Sequence, residues 1–277
     1  FSRPKHSRVG RAVIRRRLSV HLSGLLIGAT ILRVGVVPAE VCPTVEASTV
    51  GASIQLASEW LTSGMSADGT YTYGYDRIAD QTNVSYNDAR HAGVTMSLYQ
   101  LYSVTGDPSV LDAADRGLAV ALDEVIAHAD WQAWRPGGDI PVGANGLLGA
   151  ALALRRTATA DPVHDELMDG IARFLLQQQQ SDGSIYAYWS VGDQQPNPVY
   201  GPFATGEAAW ALTLIDRHIP GQGFGEGAAR TLRYMAQDRN RVEGYLTSLP
   251  DHWAAYALSD LRADLLTDDL VDHARRL

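Results

Sequence analysis

The stretch "SEWLTSGMSADGTYTYGY" at 58–75 returns further along the chain as "RFLLQQQQSDGSIYAYWS" at 173–190. An Asp-Gly pair stands at 68–69 in the first copy and at 182–183 in the second, an offset of 114 residues. Without a gap, the same offset lays "HAGVTMSL" (91–98) on "TGEAAWAL" (205–212) and Arg116 and Leu118 on Arg230 and Leu232. One ungapped offset through three segments is an internal repeat. A half-period copy lies between them. There "GANGLLGAALALRRTATADPVHDEL" follows the rhythm of "RHAGVTMSLYQLYSVTGDPSVLDAA", with Asp107-Pro108 on Asp161-Pro162 at an offset of 54. A fourth segment of this type is "DHWAAYALSDL" (251–261). The unit is a helical hairpin of roughly 50–60 residues, repeated.

Each unit alternates two kinds of helix. Residues 109–126, 163–179 and 225–236 carry apolar groups at helical spacing with charges opposite, which predicts outer helices with one face in water. Residues 92–104, 145–156, 206–217 and 253–265 are rich in Ala, Gly and Leu around most of the wheel. Such helices are expected to be buried on both sides. The connecting stretches "DGTYTYGYD", "WQAWRPGGD" and "DGSIYAYWS" combine tight-turn residues with alternating aromatics and read as short hairpins or irregular loops. Buried inner helices within a ring of amphipathic outer ones predict an all-α fold, an α/α-toroid built of helical hairpins over 52–277.

The residues also carry a resemblance. "RHAGVTMSLYQLYSVTGDPSVLDAADRGL" and "GPFATGEAAWALTLI" resemble the repeats of six-hairpin glycosidase-like proteins. "FLLQQQQSDGSI" is similar to the glutamine-then-Asp-Gly pattern of squalene-cyclase and prenyltransferase repeats. About eight helices are visible where a closed six-hairpin ring needs twelve. Either the ring is incomplete or the chain continues beyond Leu277.

Composition prunes the function classes. The first 17 residues hold seven of the chain's 23 basic groups and no acidic one, which leaves 16 basic against 31 acidic residues in the remainder. A body that acidic argues against binding a phosphate backbone, so no nucleic-acid partner is expected. Lys5 is the only lysine, which excludes a Schiff-base or phosphate-loop lysine in the body. Cys42 is the only cysteine, which removes intramolecular disulfides, cysteine-rich zinc sites and iron–sulfur clusters. No cofactor is expected.

Ahead of the repeats, 1–17 reads as a basic cytoplasmic segment and 18–37 as a signal-peptide core or single membrane anchor. Leu22 to Leu32 is its most apolar part, Val37-Pro38-Ala39 offers small residues at a cleavage point, and 38–51 reads as linker. Arg15-Arg16-Arg17-Leu18 has a faint twin-arginine look. The basic flank keeps the start of the chain in the cytoplasm, so the body is expected outside it, anchored or released.

In a toroid the N-termini of inner helices, and the loops entering them, converge on one end of the central funnel, where carboxylates and anions are favoured. That places Asp88, Arg90, His91, Asn145, Glu207, Asp251 and His252 together, with Tyr73, Trp134, Tyr188, Trp189 and Tyr200 in the preceding loops. Carboxylates beside flat aromatic faces suit a carbohydrate: rings pack on apolar sugar faces and a carboxyl pair supplies acid and base. Glu207, Asp88, His91 and Asp251 are the catalytic candidates; Arg90, Asn145, Tyr73, Trp134, Tyr188, Trp189, Tyr200 and His252 are the substrate-binding ones. Structural readings stand beside these. Glu207 at the second position of its helix complements the dipole with Thr205 as cap, while Asp88 and Asp251 are good capping residues. His91 and His252 lack a third ligand at a recognisable spacing, so no metal site is expected.

The N-terminal segment and the resemblance together imply an exported, membrane-tethered toroid acting on an extracellular or envelope glycan, by hydrolysis or by a lyase or epimerase type of reaction. A non-catalytic glycan-binding or scaffolding toroid is the alternative. Terpenoid cyclisation would need an Asp-x-Asp-Asp cluster, and the repeats contain none; Asp268-Asp269 is a doublet near the end.

Overall fold

The computed structural model describes residues 8–36, 45–83, 85–244 and 251–277, with side chains described from Arg16 onward except at Val36. The chain divides into two units, Phe1–Ala52 and Ser53–Leu277.

In the first unit, α1 (Arg8–Ile31) runs into a short π-helical turn, Leu32–Val36. Its stretch Arg16–Gly35, of 20 residues and mean hydropathy 1.5, is long and apolar enough to cross a membrane, and none of it is buried. Lys5, Cys42 and the expected cleavage point Val37-Pro38-Ala39 lie outside the described residues. Helix α2 (Ala47–Ser63) begins inside the stretch read as linker.

The second unit is a toroid of helical hairpins. Its inner helices are α3 (Asp88–Thr105), α5 (Val142–Thr159), α7 (Ala204–His218) and α10 (His252–Asp260), and α3 packs on α5, α5 on α7, and α7 on α10. Outer helices α4 (Pro108–Leu122), α6 (Asp165–Gln178) and α8 (Phe224–Gln237) pack on α3, α5 and α7 in turn. Two short helices, α9 (Arg239–Val242) and α11 (Asp268–Ala274), complete the described set.

The repeat holds down to single hydrogen bonds. Gly69 and Gly183 both take positive φ, +87° and +92°, and a Cβ on either would collide with the carbonyl of Arg116 or Arg230, themselves 114 residues apart. Only glycine satisfies both demands. The Asp68 and Asp182 carboxylates accept the N–H groups of Thr70 and Ser184, and Met65 bridges to Tyr71 as Gln179 does to Ile185. At the offset of 54, Asp107 and Asp161 accept from Ser109 and Val163, and Gly106 and Ala160 turn left-handed at the helix ends. Those turns stop each inner helix and launch the outer one.

Burial follows the expected division, with one difference. Every residue of α5 from Val142 to Ala153, and of α7 from Ala204 to Asp216, is buried. In α3 and α10 the buried residues are fewer, because among the described residues each has an inner-helix neighbour on one side only. The inner stretch 253–265 also ends early, at Asp260, where Trp210 and Arg217 hold the Asp260 carboxylate.

The outer stretch 109–126 stops at Leu122, and the chain turns into the hairpin β3 (Val125–His128) and β4 (Trp131–Trp134). Strands β1 (Tyr75–Asp76) and β2 (Gln81–Thr82) form a second small pair. A three-stranded sheet joins β5 (Ile140–Pro141), β6 (Tyr188–Ser190) and β7 (Gln195–Asn197), pairing Ile140 with Trp189 and Tyr188 with Asn197. It ties the entrance of α5 to the loop that enters α7.

Candidate functional site

The first turns of all four inner helices face one open cavity of about 1150 Å3, whose wall includes Asp88, Gly143, Glu207 and His252. Small residues bring the elements this close. A Cβ on Gly143 would collide with Glu207 Oε2, and one on Gly206 would collide with the Asp251 carboxylate.

Glu207 is the most unusual group there. It is the fourth residue of α7, whose cap position is Phe203; Thr205, expected as the cap, is the second residue, and its hydroxyl has no partner. Glu207 is only 7% exposed, and among the described residues no hydrogen bond reaches its carboxyl group. Burial, and then the charge of Asp251, push its pKa up from 4.5 to about 7. A carboxyl group in such surroundings holds its proton near neutrality, as a general acid must.

Asp88 lies on the same wall at the first residue of α3. The side-chain cap of that helix is Asn87, which accepts the Arg90 N–H at 2.9 Å, so Asp88 is free of that duty. Burial, and then the charge of Glu124, raise its pKa. Helices α3 and α7 both pack chiefly on α5. With neighbouring axes about 8–10 Å apart, those of α3 and α7 stand up to roughly 16–20 Å apart.

Asp139 enters the wall between them, from the loop ahead of α5, and one of its oxygens accepts the Val191 N–H at 3.1 Å. It was missed in the sequence, where "RPGGD" reads as a turn. The available signal was that this loop enters inner helix 145–156, as those of Asp88 and Glu207 enter theirs.

His91 is buried and fully engaged. Its Nε2 faces the Gly117 carbonyl at 2.8 Å, which assigns the proton to that nitrogen, and Nδ1 accepts the Tyr86 hydroxyl. Burial lowers its pKa, so it is a neutral clamp that holds Tyr86, whose oxygen also accepts the Tyr71 N–H at 3.1 Å. Arg90 is exposed, with its guanidinium 4.9 Å from the centre of the Tyr73 ring. Tyr73, Tyr188 (44% exposed) and Tyr200 line the cavity, and so does His252, whose ring lies tilted against Phe203 at 6.0 Å between centres.

Four candidates lie behind the wall. Asn145 is fully buried; it accepts the Trp134 N–H and donates to the carbonyls of Trp134 and Pro141, pinning β4 to the start of α5. Trp134 is 1% exposed and gives its indole N–H to Glu124, while Trp189 packs edge-to-face on Trp131 at 5.4 Å. Asp251 caps α10 by accepting the Trp253 N–H, and its other oxygen is ion-paired to Arg239 at 2.8 Å. The polar groups of Asn145, Trp134 and Asp251 are spent on the fold itself, which the sequence pattern alone does not reveal. Among the described residues no cluster of His, Cys, Asp and Glu could hold a metal ion.

The fold is that of the six-hairpin glycosidase-like α/α-toroids. It is similar to cellobiose 2-epimerase from Spirochaeta thermophila DSM 6192, at 14% identity, covering 84% of this chain and 70% of that one, with a TM-score of 0.61. It is also similar to an inactive variant of the α-1,6-mannanase GH76A of Salegentibacter sp. HEL1_6 in complex with α-1,6-mannotriose. There the identity is 12%, the coverage 83% of this chain and 85% of that one, and the TM-score 0.58. A third is the unsaturated glucuronyl hydrolase of Bacillus sp. GL1, at 18% identity, 68% and 60% coverage and a TM-score of 0.51. No protein-family model and no curated protein sequence matches the chain.

Proposed function

We propose that this toroid is a carbohydrate-active enzyme that takes an oligosaccharide into the cavity, with Glu207 as general acid. The observation that carries the reading is Glu207 itself, a buried, unpartnered carboxyl group with a pKa of about 7 in a wall that also holds Tyr73, Tyr188 and Tyr200. Its protonated form, which persists up to about pH 7, gives its proton to a leaving or ring oxygen. The base is drawn from Asp88 and Asp139, the other carboxyl groups on the wall. Tyr73, Tyr188 and Tyr200 supply faces on which sugar rings stack, and Arg90 and His252 orient hydroxyl or acidic substituents. Hydrolysis and a lyase or epimerase reaction both use this set, and the similarity to an epimerase and to two glycosidases supports the choice. We also place the body outside the cytoplasm, with the stretch Arg16–Gly35 as signal or anchor.

One observation favours a glycan-binding module instead. Asp251, the carboxylate beside Glu207, is committed to an ion pair with Arg239, and Asp88 stands beyond α5. Glu207→Gln separates the readings. An enzyme loses turnover and keeps its ligand; a binding module has no turnover to lose.

A further inference from the structure

Behind the Glu207 wall lies a buried ionic cluster that the proposed function does not use. Arg239, on α9, is 5% exposed, and its guanidinium makes three hydrogen bonds to three different segments. Nε donates to Glu243 Oε2 at 2.9 Å, one Nη to Asp251 Oδ2 at 2.8 Å and the other to the Pro202 carbonyl at 2.7 Å. The second oxygen of Glu243 accepts the Tyr234 hydroxyl, from α8, at 3.0 Å. Both acidic side chains are almost wholly enclosed, Glu243 at 0% and Asp251 at 3% exposure. One cation therefore faces two carboxylates inside the protein.

Two of those contacts reach the cavity. Pro202 belongs to its wall, next to Phe203 and two residues from Tyr200. Asp251 packs against Gly206, the residue before Glu207, and caps the helix that presents His252. We propose that Arg239 and Asp251 are positioning residues: one buried guanidinium fork fixes the Pro202 loop and the Asp251 carboxylate, and so sets the shape of the Glu207 wall and the electrostatic field there. The role at Glu207 rests on the reading of that residue as the working acid. Of the elements packed on α7, α5 presents Gly143 to Glu207, and α10 presents Asp251 and His252 at its N-terminus. Burial and the Asp251 charge account for the raised pKa of Glu207, so removing that charge lowers it.

The test uses the full chain. Carboxyl 13C titration follows Glu207, its resonance assigned by its loss in Glu207→Gln. Asp251→Asn keeps the helix cap and removes the charge, and it is expected to lower the Glu207 midpoint by about one pH unit. Asp251→Ser, which also caps, is the second variant should the asparagine form not fold. Arg239→Lys keeps the charge but cannot reproduce the three-way fork. It is expected to leave the midpoint near the wild-type value and to weaken oligosaccharide binding about tenfold. An unmoved midpoint in the Asp251 variants, or wild-type binding by Arg239→Lys, overturns the proposal. The titration needs no substrate. A wild-type protein that binds no oligosaccharide overturns the proposed function, while the titration still decides the Asp251 role.

Discussion

Glu207 and Asp251 are neighbouring buried carboxyl groups with different partners: Asp251 is ion-paired to Arg239 at 2.8 Å, whereas among the described residues no ion pair reaches Glu207, and burial, then the Asp251 charge, push it towards its neutral form. Burial raises the pKa of both, and only at Asp251 does a guanidinium oppose it. In this toroid one of the two is committed to the wall and the other is left facing the cavity.

The raised pKa has a thermodynamic consequence. An unfolded Glu207 ionises near its ordinary value of 4.5, and the folded one near 7. Between those values the native state binds more protons, so the contribution of Glu207 to stability is fully present below about pH 4.5 and is lost as pH rises through 7. Glu207→Gln carries no such penalty. Relative to wild type it is expected to gain stability from pH 4.5 upward, reaching about 3 kcal/mol above pH 7. Chemical denaturation of both proteins across that range checks the sign and the window.

Breaking the Arg239 cluster is expected to cost more than any surface ion pair. Arg239→Met leaves Glu243 and Asp251 buried without a counter-ion and is expected to destabilise the fold by about 3–5 kcal/mol. Arg241→Met, at a pair whose arginine is 75% exposed, is expected to change stability by less than about 1 kcal/mol. Urea denaturation measures both.

The tyrosine wall makes a prediction about affinity. Tyr188 is 44% exposed and has no hydrogen-bonded side chain among the described residues. Tyr188→Ala is expected to weaken oligosaccharide binding about 3–10-fold with little change in melting temperature. Titration calorimetry with a melting curve tests that separation.

Much of the architecture was legible because the repeat is written in residues with a geometric duty. Gly69 and Gly183 must be glycine, and Asp107 and Asp161 form the same turn 54 residues apart. The Ala-, Gly- and Leu-rich sequences of α5 and α7 announce burial on both sides, and the structure buries them so. Placement within the site was less legible, because it depends on partners far apart in sequence. Asn145 and Trp134 carry the right residue types at a helix entrance, yet the Asn145 amide is spent on the Trp134 and Pro141 backbone and the Trp134 indole N–H on Glu124. Asp251 reads as a helix cap or a catalytic carboxylate, and nothing in its neighbourhood of the sequence announces the ion pair that Arg239 brings to it from α9. Asp139 was hidden by its glycine-rich turn.

The base has its own test. Asp139→Asn and Asp88→Asn are each made and assayed for turnover on any oligosaccharide that binds. One of them is expected to lose turnover by at least about 100-fold. Full activity in both removes the two-carboxyl scheme.

The central claim is tested most directly by comparing wild type and Glu207→Gln on a panel of oligosaccharides, with product analysis and binding measured side by side. The expected result is wild-type turnover that declines as pH rises through about 7. Glu207→Gln should lose at least about 100-fold in kcat while binding the same ligand within about threefold. Turnover that survives the substitution, or a wild-type protein that binds none of the panel, contradicts the account.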